Sequence, residues 1–544
     1  MISYISIGSN IGDRITNIYK AIYLLSKKVH ILKKSSFYIT KPMYYTFQPY
    51  FINLVIKIES SLNPFCLLNY LNFIEDKLKR KRSFKNSPRT IDLDILYFGN
   101  DIINTQKLIV PHPKIYERAF VLKPFMDIDP GFIDPIKNKK ISEIFNSLKY
   151  NSSDVIKIPE KFNDIESFFA IISPRKKSDF NTSYIKNTLS VFGKPQKNCG
   201  KIIHITGSVG KTTTARYIYE IIRKKGFDAA LYTSPHIHNL RERIIFNDKK
   251  IPEKDFYKIL IKLISNSKEM LSPFEYITSV AIIYFSSKNP TYSIFEVGMG
   301  GESDATNVFD KSFSVFTKIT LEHQKYLGKR ISYIVKNKAG IIKPYGKVFI
   351  SGQNSKKVID LINFFSKRKR SKVYVFDVNK KNNDFESINL NFAKFICSKL
   401  GIRVENSKFR KFDCRKQILK YNGIRIIFDG AHTPISIKML FESIKDDDYK
   451  FVLAGFMNDK KIKQMLEIIK TYNLKIFLSK SYSPRSFDPF KYSSYGLCFD
   501  DPKVAISKIL KYKKNFIVTG SLYFCSDILK ILQHKEISYF RELI

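Results

Sequence analysis

Two aspartates separated by a single residue are the first group in this sequence that could carry out chemistry. Asp92 and Asp94 lie in the run from Thr90 to Phe98, which begins with the alternating polar and apolar residues of a strand. Because successive side chains of a strand point to opposite faces, both carboxylates should share one face while Leu93 points to the core. Two carboxylates so placed can hold Mg²⁺ bound to a nucleotide, since Mg²⁺ prefers oxygen ligands. An exposed strand with a solvated charge cluster is the alternative interpretation of this pair taken alone.

Basic residues stand just before the aspartates and could balance phosphate charge. Arginine does so through paired hydrogen bonds and lysine as a point charge. In-line displacement at phosphorus needs mainly positioning and charge neutralisation, and carboxylates beside cations supply both. The cations in question are Arg80, Arg82, Lys85 and Arg89.

A glycine-containing loop forms the second chemically suggestive group. Residues 202–214 read as a strand that runs into a helix, with Gly207 and Gly210 at the junction. The glycines allow backbone N–H groups to wrap around phosphate oxygens at the positive end of the helix. Lys211 would then reach the β- and γ-phosphates, and Thr212 the Mg²⁺ ion. The spacing is shorter than in the general phosphate-binding loop, so an ordinary glycine turn that caps a helix is the alternative.

The elements that must position these residues alternate between strands and helices, which favours parallel sheets covered by helices. We therefore predict the α/β fold class, with three domains at residues 1–150, 165–405 and 410–544. Apolar residues at helical spacing predict helices from Ile15 to Leu32 and from Pro64 to Lys79. Short apolar runs predict strands at residues 2–8, 51–59, 90–98, 201–206, 424–428, 451–454, 475–478 and 516–519.

The composition sets limits on the class of protein. With 93 Lys+Arg against 49 Asp+Glu the net charge is +44, which suggests nucleic acid or an anionic membrane as a partner. The basic residues are scattered, however, and a Lys-, Ile-, Asn-, Phe- and Tyr-rich chain without Trp is typical of the codon bias of an AT-rich genome. A basic nucleic-acid-binding protein with relict ATP sites is therefore a low-ranking alternative. The 44% hydrophobic and 14% aromatic content excludes general disorder.

Cysteine usage and the absence of targeting signals predict the compartment. The six cysteines form no CxxC pair, which fits a reducing compartment and argues against a structural zinc site. The N-terminus lacks the basic-then-apolar build of a signal peptide, and no apolar run approaches the roughly 20 residues that span a bilayer. We therefore predict a cytoplasmic protein with neither nucleic acid nor membrane as a partner.

The motifs around the paired aspartates together resemble one known family over residues 1–130. That family is 6-hydroxymethyl-7,8-dihydropterin pyrophosphokinase. The resemblance implies a ferredoxin-like α+β module that transfers pyrophosphate from ATP to the pterin hydroxymethyl group. The motifs are Gly8-Ser-Asn-Ile-Gly-Asp13, Tyr38-Ile-Thr40, Phe51-Ile-Asn53, Pro88-Arg-Thr-Ile-Asp-Leu-Asp-Ile-Leu96, Pro111-His-Pro113 and Arg118-Ala-Phe-Val-Leu122.

The resemblance also implies roles for individual residues. Asp92 and Asp94 would hold two Mg²⁺ ions that bridge the ATP phosphates and the pterin hydroxyl. Asn53 and Phe120 would hold the pterin by hydrogen bonding and stacking, with backbone contacts from Thr40. The sequence departs from the family at Asn86, where an aromatic residue often closes over the pterin. The residues that would bind ATP or stabilise the charge that develops on its phosphates are Arg80, Arg82, Arg89, His112 and Arg118.

The motifs downstream of the phosphate loop resemble dihydrofolate synthase/folylpolyglutamate synthase of the Mur ligase superfamily over residues 165–544. The resemblance implies a P-loop central domain and a Rossmann-like C-terminal domain, with ATP between them. It implies an ATP-dependent amide ligase, in which the substrate carboxylate takes the γ-phosphate and glutamate then displaces it. The motifs include Tyr232-Thr-Ser-Pro-His236, Arg241-Glu-Arg243, Phe274-Glu-Tyr-Ile-Thr278, Phe295-Glu-Val-Gly-Met-Gly-Gly301, Glu322-His323, Lys338-Ala-Gly-Ile341, Asp429-Gly-Ala-His432 and Thr519-Gly-Ser-Leu-Tyr523.

The second resemblance likewise implies residue roles. Lys338 corresponds to a lysine that relatives carry as a carbamate and would act in catalysis together with Lys211. The metal ligands would be Thr212, Ser234, Glu296 and His323. The ATP-binding residues would be Gly207, Ser208, Gly210, Lys211, Thr212, Arg415, Asp429 and His432.

The two resemblances together point to one pathway and one hypothesis. The chain is predicted to be a bifunctional folate-biosynthesis enzyme that uses ATP and Mg²⁺ and acts on hydroxymethyldihydropterin, dihydropteroate and L-glutamate. A separate dihydropteroate synthase would supply the intermediate step, and folylpolyglutamate synthase activity is a further expectation. The form Lys211-Thr-Thr is closer to the cell-wall Mur ligases, so a cell-wall amide ligase remains the alternative for the C-terminal half.

Overall fold

A computed structural model describes residues 1–81, 83–84, 86–172, 181–236, 239–378, 385–404, 409, 414–444, 448–483 and 485–533. The chain divides into two compact units. Unit 1 comprises Met1–Arg175, Ser183–Lys194 and Glu253–Val280, and unit 2 comprises Lys176–Thr182, Pro195–Pro252 and Ala281–Ile544. The expected division into three domains stays a prediction. Among the described residues, no helix combines the length and the apolar character needed to cross a membrane.

The strands follow in chain order. They are β1 (Ile2–Ser9), β2 (His30–Lys34), β3 (Tyr38–Thr40), β4 (Phe51–Glu59), β5 (Asp92–Phe98), β6 (Ile103–Asn104), β7 (Ile109–Val110), β8 (Val155–Lys157), β9 (Lys201–Thr206), β10 (Ala229–Tyr232), β11 (Ile244–Phe246), β12 (Lys249–Lys250), β13 (Tyr292–Glu296), β14 (Phe313–Phe316), β15 (Lys347–Ser351), β16 (Lys372–Phe376), β17 (Gln417–Tyr421), β18 (Ile424–Phe428), β19 (Phe451–Ala454), β20 (Lys475–Ser479), β21 (Leu497–Phe499) and β22 (Phe516–Thr519).

The α-helices also follow in chain order. They are α1 (Arg14–Leu25), α2 (Pro64–Lys77), α3 (Ala119–Ile128), α4 (Ile141–Ser147), α5 (Ile165–Ile171), α6 (Ser183–Val191), α7 (Lys211–Lys224), α8 (Glu253–Asn266), α9 (Pro273–Lys288), α10 (Gln324–Leu327), α11 (Ile331–Ala339), α12 (Lys356–Arg368), α13 (Phe385–Lys399), α14 (Pro434–Glu442), α15 (Ile462–Lys470), α16 (Pro502–Leu510) and α17 (Leu522–Leu532).

Unit 1 contains an antiparallel sheet with the order β5-β1-β4-β3-β8, and β2 also pairs with β4. The strand β1 lies between β5 and β4 and brings two motifs together, because Gly8 lies opposite Asn53 in β4 and opposite Asp92 in β5. A Cβ atom at Gly8 would lie 2.5 Å from Asn53 Oδ1, so the close approach requires glycine. The sheet thus places Asn53, which is predicted to hold the pterin, and Asp92, which is predicted to hold Mg²⁺, on either side of Gly8.

One sequence expectation for unit 1 needs correction. The helix predicted from Ile15 to Leu32 ends at Leu25, and residues 30–34 form β2 instead. Pairing with β4 decides this, since five residues are too few for helical and strand spacing to be told apart. The sheet of unit 1 also includes β8, which pairs with β3.

Unit 2 contains two sheets of mainly parallel strands, as the predicted α/β class requires. The first has the order β12-β11-β10-β13-β9-β14-β15-β16, and the second β17-β18-β22-β19-β20-β21. In the first sheet, β9 leads directly into the phosphate loop and α7. Its neighbour β13 runs parallel and ends at Glu296, opposite Ile205. Ligands of open α/β sheets bind outside the carboxyl ends of the strands, and this edge carries both features.

The buried histidine of β9 makes the stability of unit 2 depend on pH. His204 is 0% exposed, and its Nε2 lies 2.8 Å from Thr306 Oγ1. Burial, with a smaller contribution from the charge of Lys343, lowers the pKa of His204 to about 3. In the unfolded chain a histidine has a pKa of about 6.5. Between these values only the unfolded chain binds the proton, so acid favours unfolding.

We expect this histidine to cost about 2 kcal/mol of stability between pH 7 and pH 5. Urea unfolding of the parent and of His204→Gln at both pH values measures the effect. The variant should lose about 2 kcal/mol less than the parent, because glutamine does not titrate. An equal loss in both proteins would contradict the assignment.

Candidate functional sites

The paired carboxylates of unit 1 lie on one face of β5, as the alternation predicts. The side chains of Asp92 and Asp94 are 23% and 35% exposed, whereas Leu93 between them is 5% exposed. Burial and the charge of Asp94 raise the pKa of Asp92, and the surrounding arginines oppose that rise. Two neighbouring carboxylates that are partly removed from water favour a divalent cation, which stabilises the ionised form of both.

Arginines surround the carboxylate pair at ion-pair distance. Arg80 Nη1 lies 2.7 Å and Arg89 Nη1 3.3 Å from the carboxylate oxygens of Asp92. Arg118 Nη1 lies 3.4 Å from Asp94 Oδ2. Arg82, which was also predicted for this site, lies outside the described residues. The structure therefore brings together cations that can bind phosphate oxygens and carboxylates that can hold a metal.

A buried carboxylate that the sequence analysis missed holds one of these arginines. Glu75 is 2% exposed, forms an ion pair with Arg80 and accepts a hydrogen bond of 2.8 Å from the backbone N–H of Leu93. It therefore fixes both the guanidinium and the start of β5. Its signal in the sequence is weak: it follows Leu67 and Leu71 at four-residue steps on the buried face of α2.

His112 adds a neutral polar group beside the carboxylates. Its Nε2 lies 3.3 Å from Arg118 Nη1 and 3.9 Å from Asp94 Oδ2. Burial and the charge of Arg118 lower the pKa of His112 to about 4. The imidazole is therefore neutral at pH 7 and can exchange hydrogen bonds with a phosphate without adding charge.

The residues predicted to hold a pterin lie on β3, β4 and α3. Asn53 Nδ2 donates a hydrogen bond of 2.7 Å to Thr40 Oγ1, and both residues are buried. The half-buried ring of Phe120 lies under the Arg118 guanidinium, 5.5 Å from the ring centroid. An amide that is held in place and an accessible ring can bind a flat heterocycle by hydrogen bonds and stacking.

In unit 2 the phosphate loop has the backbone geometry that the glycines predict. Gly210 has φ +85° and is the N-cap residue of α7. Gly207 has φ +152°, and a Cβ atom there would lie 1.9 Å from Thr317 Oγ1. Only glycine fits that position, so the loop can present N–H groups to an anion at the helix N-terminus.

Two lysines converge on the loop. Lys211 Nζ and Lys338 Nζ each donate a hydrogen bond of 2.9 Å to the carbonyl of Gly207. Lys338 is 1% exposed, and its Nζ lies 2.7 Å from Glu322 Oε1. Burial lowers the pKa of Lys338, and the Glu322 carboxylate opposes that shift. The carbamate implied for Lys338 stays a prediction.

Glu296 is in contact with two of the other predicted metal ligands, Thr212 and Ser234. It is 1% exposed and accepts hydrogen bonds of 2.8 and 3.0 Å from Thr212 Oγ1 and of 3.1 Å from the Ser234 N–H. Burial raises the pKa of Glu296, and the charge of Lys211 opposes that rise. Burial also lowers the pKa of His323 to about 4, which leaves the neutral imidazole that binds metals. A hydroxyl, a carboxylate and a neutral imidazole are ligand types that suit a divalent cation.

Arg243 stabilises the segment that carries Ser234. The sequence indicates it only as the last residue of the motif Arg241-Glu-Arg243. Its guanidinium, 1% exposed, donates from Nε to His236 Nδ1 at 2.9 Å. Its carbonyl accepts a hydrogen bond of 3.1 Å from the N–H of Thr233. Ser234 is thus held on both sides by one residue.

The C-terminal residues predicted to bind ATP are also ordered by hydrogen bonds. Asp429 accepts 2.9 Å hydrogen bonds from the N–H groups of Lys416 and Ala431. Burial raises its pKa, and the charge of Arg415 opposes that rise. His432 Nδ1 donates 2.8 Å to the Gly430 carbonyl, and burial lowers the pKa of His432 to about 4.

A cavity of about 320 Å³ joins these groups within unit 2. Gly207 and Lys338 are not among its lining residues, but they contact Lys211 and Glu322, which are. Lys460 also lines it, and no sequence motif indicated this cation. The predicted residues in the wall are Ser208, Gly210, Lys211, Thr212, Ser234, Glu296, His323, Arg415, Asp429 and His432.

Neither site is a metal cage made by the protein alone. Within the described residues, no three or more His, Cys, Asp and Glu side chains are grouped so that they could hold a metal ion. Both donor sets are instead one or two carboxylates beside cations. This arrangement fits Mg²⁺, which keeps several waters and is usually bound together with substrate phosphates.

Comparisons with known proteins match each half separately. Residues 4–130 match the family described as 7,8-dihydro-6-hydroxymethylpterin-pyrophosphokinase, and residues 205–415 match the Mur ligase middle domain. Over 374 residues the chain is 26% identical to a dihydrofolate synthase/folylpolyglutamate synthase of Buchnera aphidicola subsp. Schizaphis graminum, covering 62% of this chain and 89% of that protein. Over 146 residues it is 45% identical to the folic acid synthesis protein fol1 of Pneumocystis carinii, covering 27% and 20%.

A solved structure shares the fold of the larger part. The structure of E. coli FolC in complex with DHPP and ADP matches with a TM-score of 0.62 and 22% sequence identity, over 69% of this chain and 98% of that one. The chain therefore carries a 7,8-dihydro-6-hydroxymethylpterin-pyrophosphokinase domain at residues 4–130 and a Mur ligase middle domain at residues 205–415.

Proposed function

We propose that the chain is a bifunctional enzyme of folate biosynthesis that catalyses two ATP-dependent reactions. The N-terminal site transfers pyrophosphate from ATP to 6-hydroxymethyl-7,8-dihydropterin. The C-terminal site joins L-glutamate to dihydropteroate, which gives dihydrofolate. One observation carries the proposal: each predicted residue set that the structure describes converges on one place, although its members are far apart in the sequence.

At the N-terminal site the residues would work mainly by positioning and charge neutralisation. Asp92 and Asp94 would hold Mg²⁺, which when bound screens the ATP phosphates and orients the hydroxyl. Arg89 and Arg118 would exchange their carboxylate partners for phosphate oxygens as negative charge moves onto the leaving nucleotide. Asn53 and Phe120 would keep the pterin hydroxymethyl oxygen in line with the β-phosphorus.

At the C-terminal site the phosphate loop would bind the ATP phosphates through its N–H groups and Lys211. Thr212, Ser234, Glu296 and His323 would hold Mg²⁺, which neutralises phosphate charge when bound. The dihydropteroate carboxylate attacks the γ-phosphorus and forms an acyl phosphate with release of ADP. The glutamate amine then attacks the acyl carbon, and phosphate leaves.

The two products define the place of the enzyme in a reaction sequence. A pterin pyrophosphate must be coupled to p-aminobenzoate before glutamate can be added. A separate dihydropteroate synthase would therefore act between the two sites. The same ligase site is also proposed to add further glutamates to folates. The proposed substrates of both sites are small molecules.

Product analysis tests the two reactions independently. With ATP, Mg²⁺ and 6-hydroxymethyldihydropterin, folded protein should form AMP, and its failure to do so would refute the first reaction. Phosphate release should require dihydropteroate and L-glutamate together. Release driven by a UDP-linked muropeptide instead would assign the second site to cell-wall synthesis.

Variants at the two sites should separate the activities. We expect Asp92→Asn to lower AMP formation by about 100-fold or more, because charge neutralisation at the phosphates is lost. Lys211→Ala should lower glutamate-dependent phosphate release by a similar factor of about 100. Each variant is the control for the other, assayed with both substrate sets. Loss of both activities in either variant would contradict two independent sites.

Glu75 should affect the first reaction through Arg80. We expect Glu75→Ala to slow AMP formation by about 10-fold, as for residues that orient the groups of a metal site. Glu75→Gln can still accept from the Leu93 N–H but removes the negative charge beside Arg80 and leaves Asp92 as the carboxylate partner of Arg80, so an intermediate rate is expected. The matched control is Asp101→Ala, an exposed carboxylate in the turn after β5. Equal rates in the parent and Glu75→Ala would exclude this positioning role.

A further inference from the structure

A buried arginine at the start of α1 binds a helix that follows more than two hundred residues later. Arg14 is 2% exposed and directly follows the Gly8–Asp13 motif. Its Nε donates 2.9 Å to the carbonyl of Ser265, and Nη2 donates 2.7 Å to that of Ser267 and also to that of Ile264. Nη1 donates 2.5 Å to the carbonyl of Tyr50. Every nitrogen of the guanidinium thus has a backbone acceptor.

Three of these acceptors lie at the C-terminal end of α8. The last carbonyls of a helix lack partners within the helix and carry partial negative charge, so a cation there is stabilising. Ser265 adds a second contact, because its Oγ accepts 3.0 Å from the N–H of Ile15 and donates to Asp13, the N-cap residue of α1. The end of one helix is therefore bound to the start of another.

The charge makes this contact difficult to open. Burial lowers the pKa of Arg14 to about 10, so the guanidinium stays ionised at pH 7. A buried charge is tolerated only while it is fully hydrogen-bonded. If α8 moved away, Arg14 would lose most of its acceptors at once. The free-energy cost of leaving the buried charge without them therefore holds α8 against the start of α1.

By sequence, however, α8 belongs to the ligase half, between the phosphate loop and β13. The Tyr276 side chain, in the motif Phe274–Thr278 of the same half, lies close enough to favour the charged form of Arg14. Two further contacts hold α8 to the N-terminal segment. Tyr257 Oη donates 3.1 Å to the Pro159 carbonyl, and the rings of Phe256 and Phe162 lie 5.6 Å apart.

The same loop continues into the N-terminal site. Asn10 Oδ1 accepts 2.7 Å from the N–H of Arg89, and Asn10 N–H donates 3.1 Å to the Arg89 carbonyl. The α8 contact and the phosphate-binding arginine are thus attached to one short loop, Gly8–Asp13.

We propose that the N-terminal module has a second function as a structural part of the ligase, in which Arg14 positions α8. The ligase would depend on this contact even when the N-terminal site has no pterin to act on. The activity part of this inference rests on the proposed ligase function, whereas the contact itself does not.

The test compares the full-length parent with four single-substitution variants. They are Arg14→Met, Arg14→Lys, Ser265→Ala and the control Lys20→Met, which lies on the exposed side of α1. Hydrogen exchange of residues 253–267 measures the contact. Phosphate release with dihydropteroate and L-glutamate, without pterin, measures the ligase at a temperature where the circular dichroism of the variants equals that of the parent.

We expect exchange in residues 253–267 to be about 10-fold faster in Arg14→Met, because local opening no longer leaves a charge unpaired. Ligase turnover should fall by about 10-fold in the same variant, since misplacing a supporting element misaligns the reactants. Arg14→Lys and Ser265→Ala should give intermediate values, and Lys20→Met should match the parent.

Unchanged exchange in both Arg14→Met and Ser265→Ala would overturn the contact, and faster exchange with parental turnover would overturn the dependence of the ligase on it. An Arg14→Met chain that does not fold would be the extreme form of the expected result, and Ser265→Ala would then supply the graded measurement. A parent protein without ligase activity would refute the proposed function, while the exchange experiment would still decide the contact.

Discussion

Charged side chains removed from water need partners, and at both candidate sites some of the partners come from other elements of the fold. Glu75 on α2 stabilises Arg80 and the first residues of β5. Glu296 at the end of β13 receives hydrogen bonds from the phosphate-loop helix and from the segment after β10. Because an unpaired buried charge is very unfavourable, such pairs leave few alternative arrangements. The same requirement that stabilises the fold therefore also sets the geometry of both candidate sites.

Glycine makes the close approach of these segments possible. Gly8 allows β1 to run between the strands that carry Asn53 and Asp92. Gly207 lies against Thr317 and presents its carbonyl to two lysines. In both cases a Cβ atom on the glycine would lie too close to a neighbouring side-chain oxygen, 2.5 Å from Asn53 Oδ1 at Gly8 and 1.9 Å from Thr317 Oγ1 at Gly207. The two sites thus use different sheets but share one solution, a glycine where polar groups converge.

The large positive charge contributes little to this organisation. The two sites together use a handful of cations, whereas the chain carries 93 lysines and arginines. Most of the remainder are scattered on the surface, where each charge is solvated and screened. Local placement beside carboxylates, rather than net charge, distinguishes the cations that can bind phosphate.

Local patterns predicted the regular elements well where short-range periodicity is enough. The strands Phe51–Glu59 and Lys201–Thr206 have the predicted bounds, because a short segment dominated by apolar and β-branched residues favours a buried strand. The prediction of a helix was wrong for residues 30–32, where pairing of β2 with β4 outweighs helical spacing. Motifs likewise indicated most of the candidate residues of both sites, since each motif is a contiguous stretch of the sequence.

The sequence by itself thus determined the α/β class of the ligase half, and it indicated the two proposed chemistries and most of the candidate residues of each site. Only the tertiary structure decided the roles of Glu75, Lys460 and Arg14, and the membership of α8 in unit 1. Glu75 and Arg14 are paired with groups on other elements, β5 and α8, and Lys460 joins the other lining residues of the cavity only in the folded chain. No local pattern encodes such a pairing, because the need to satisfy a buried charge arises only when folding has removed it from water.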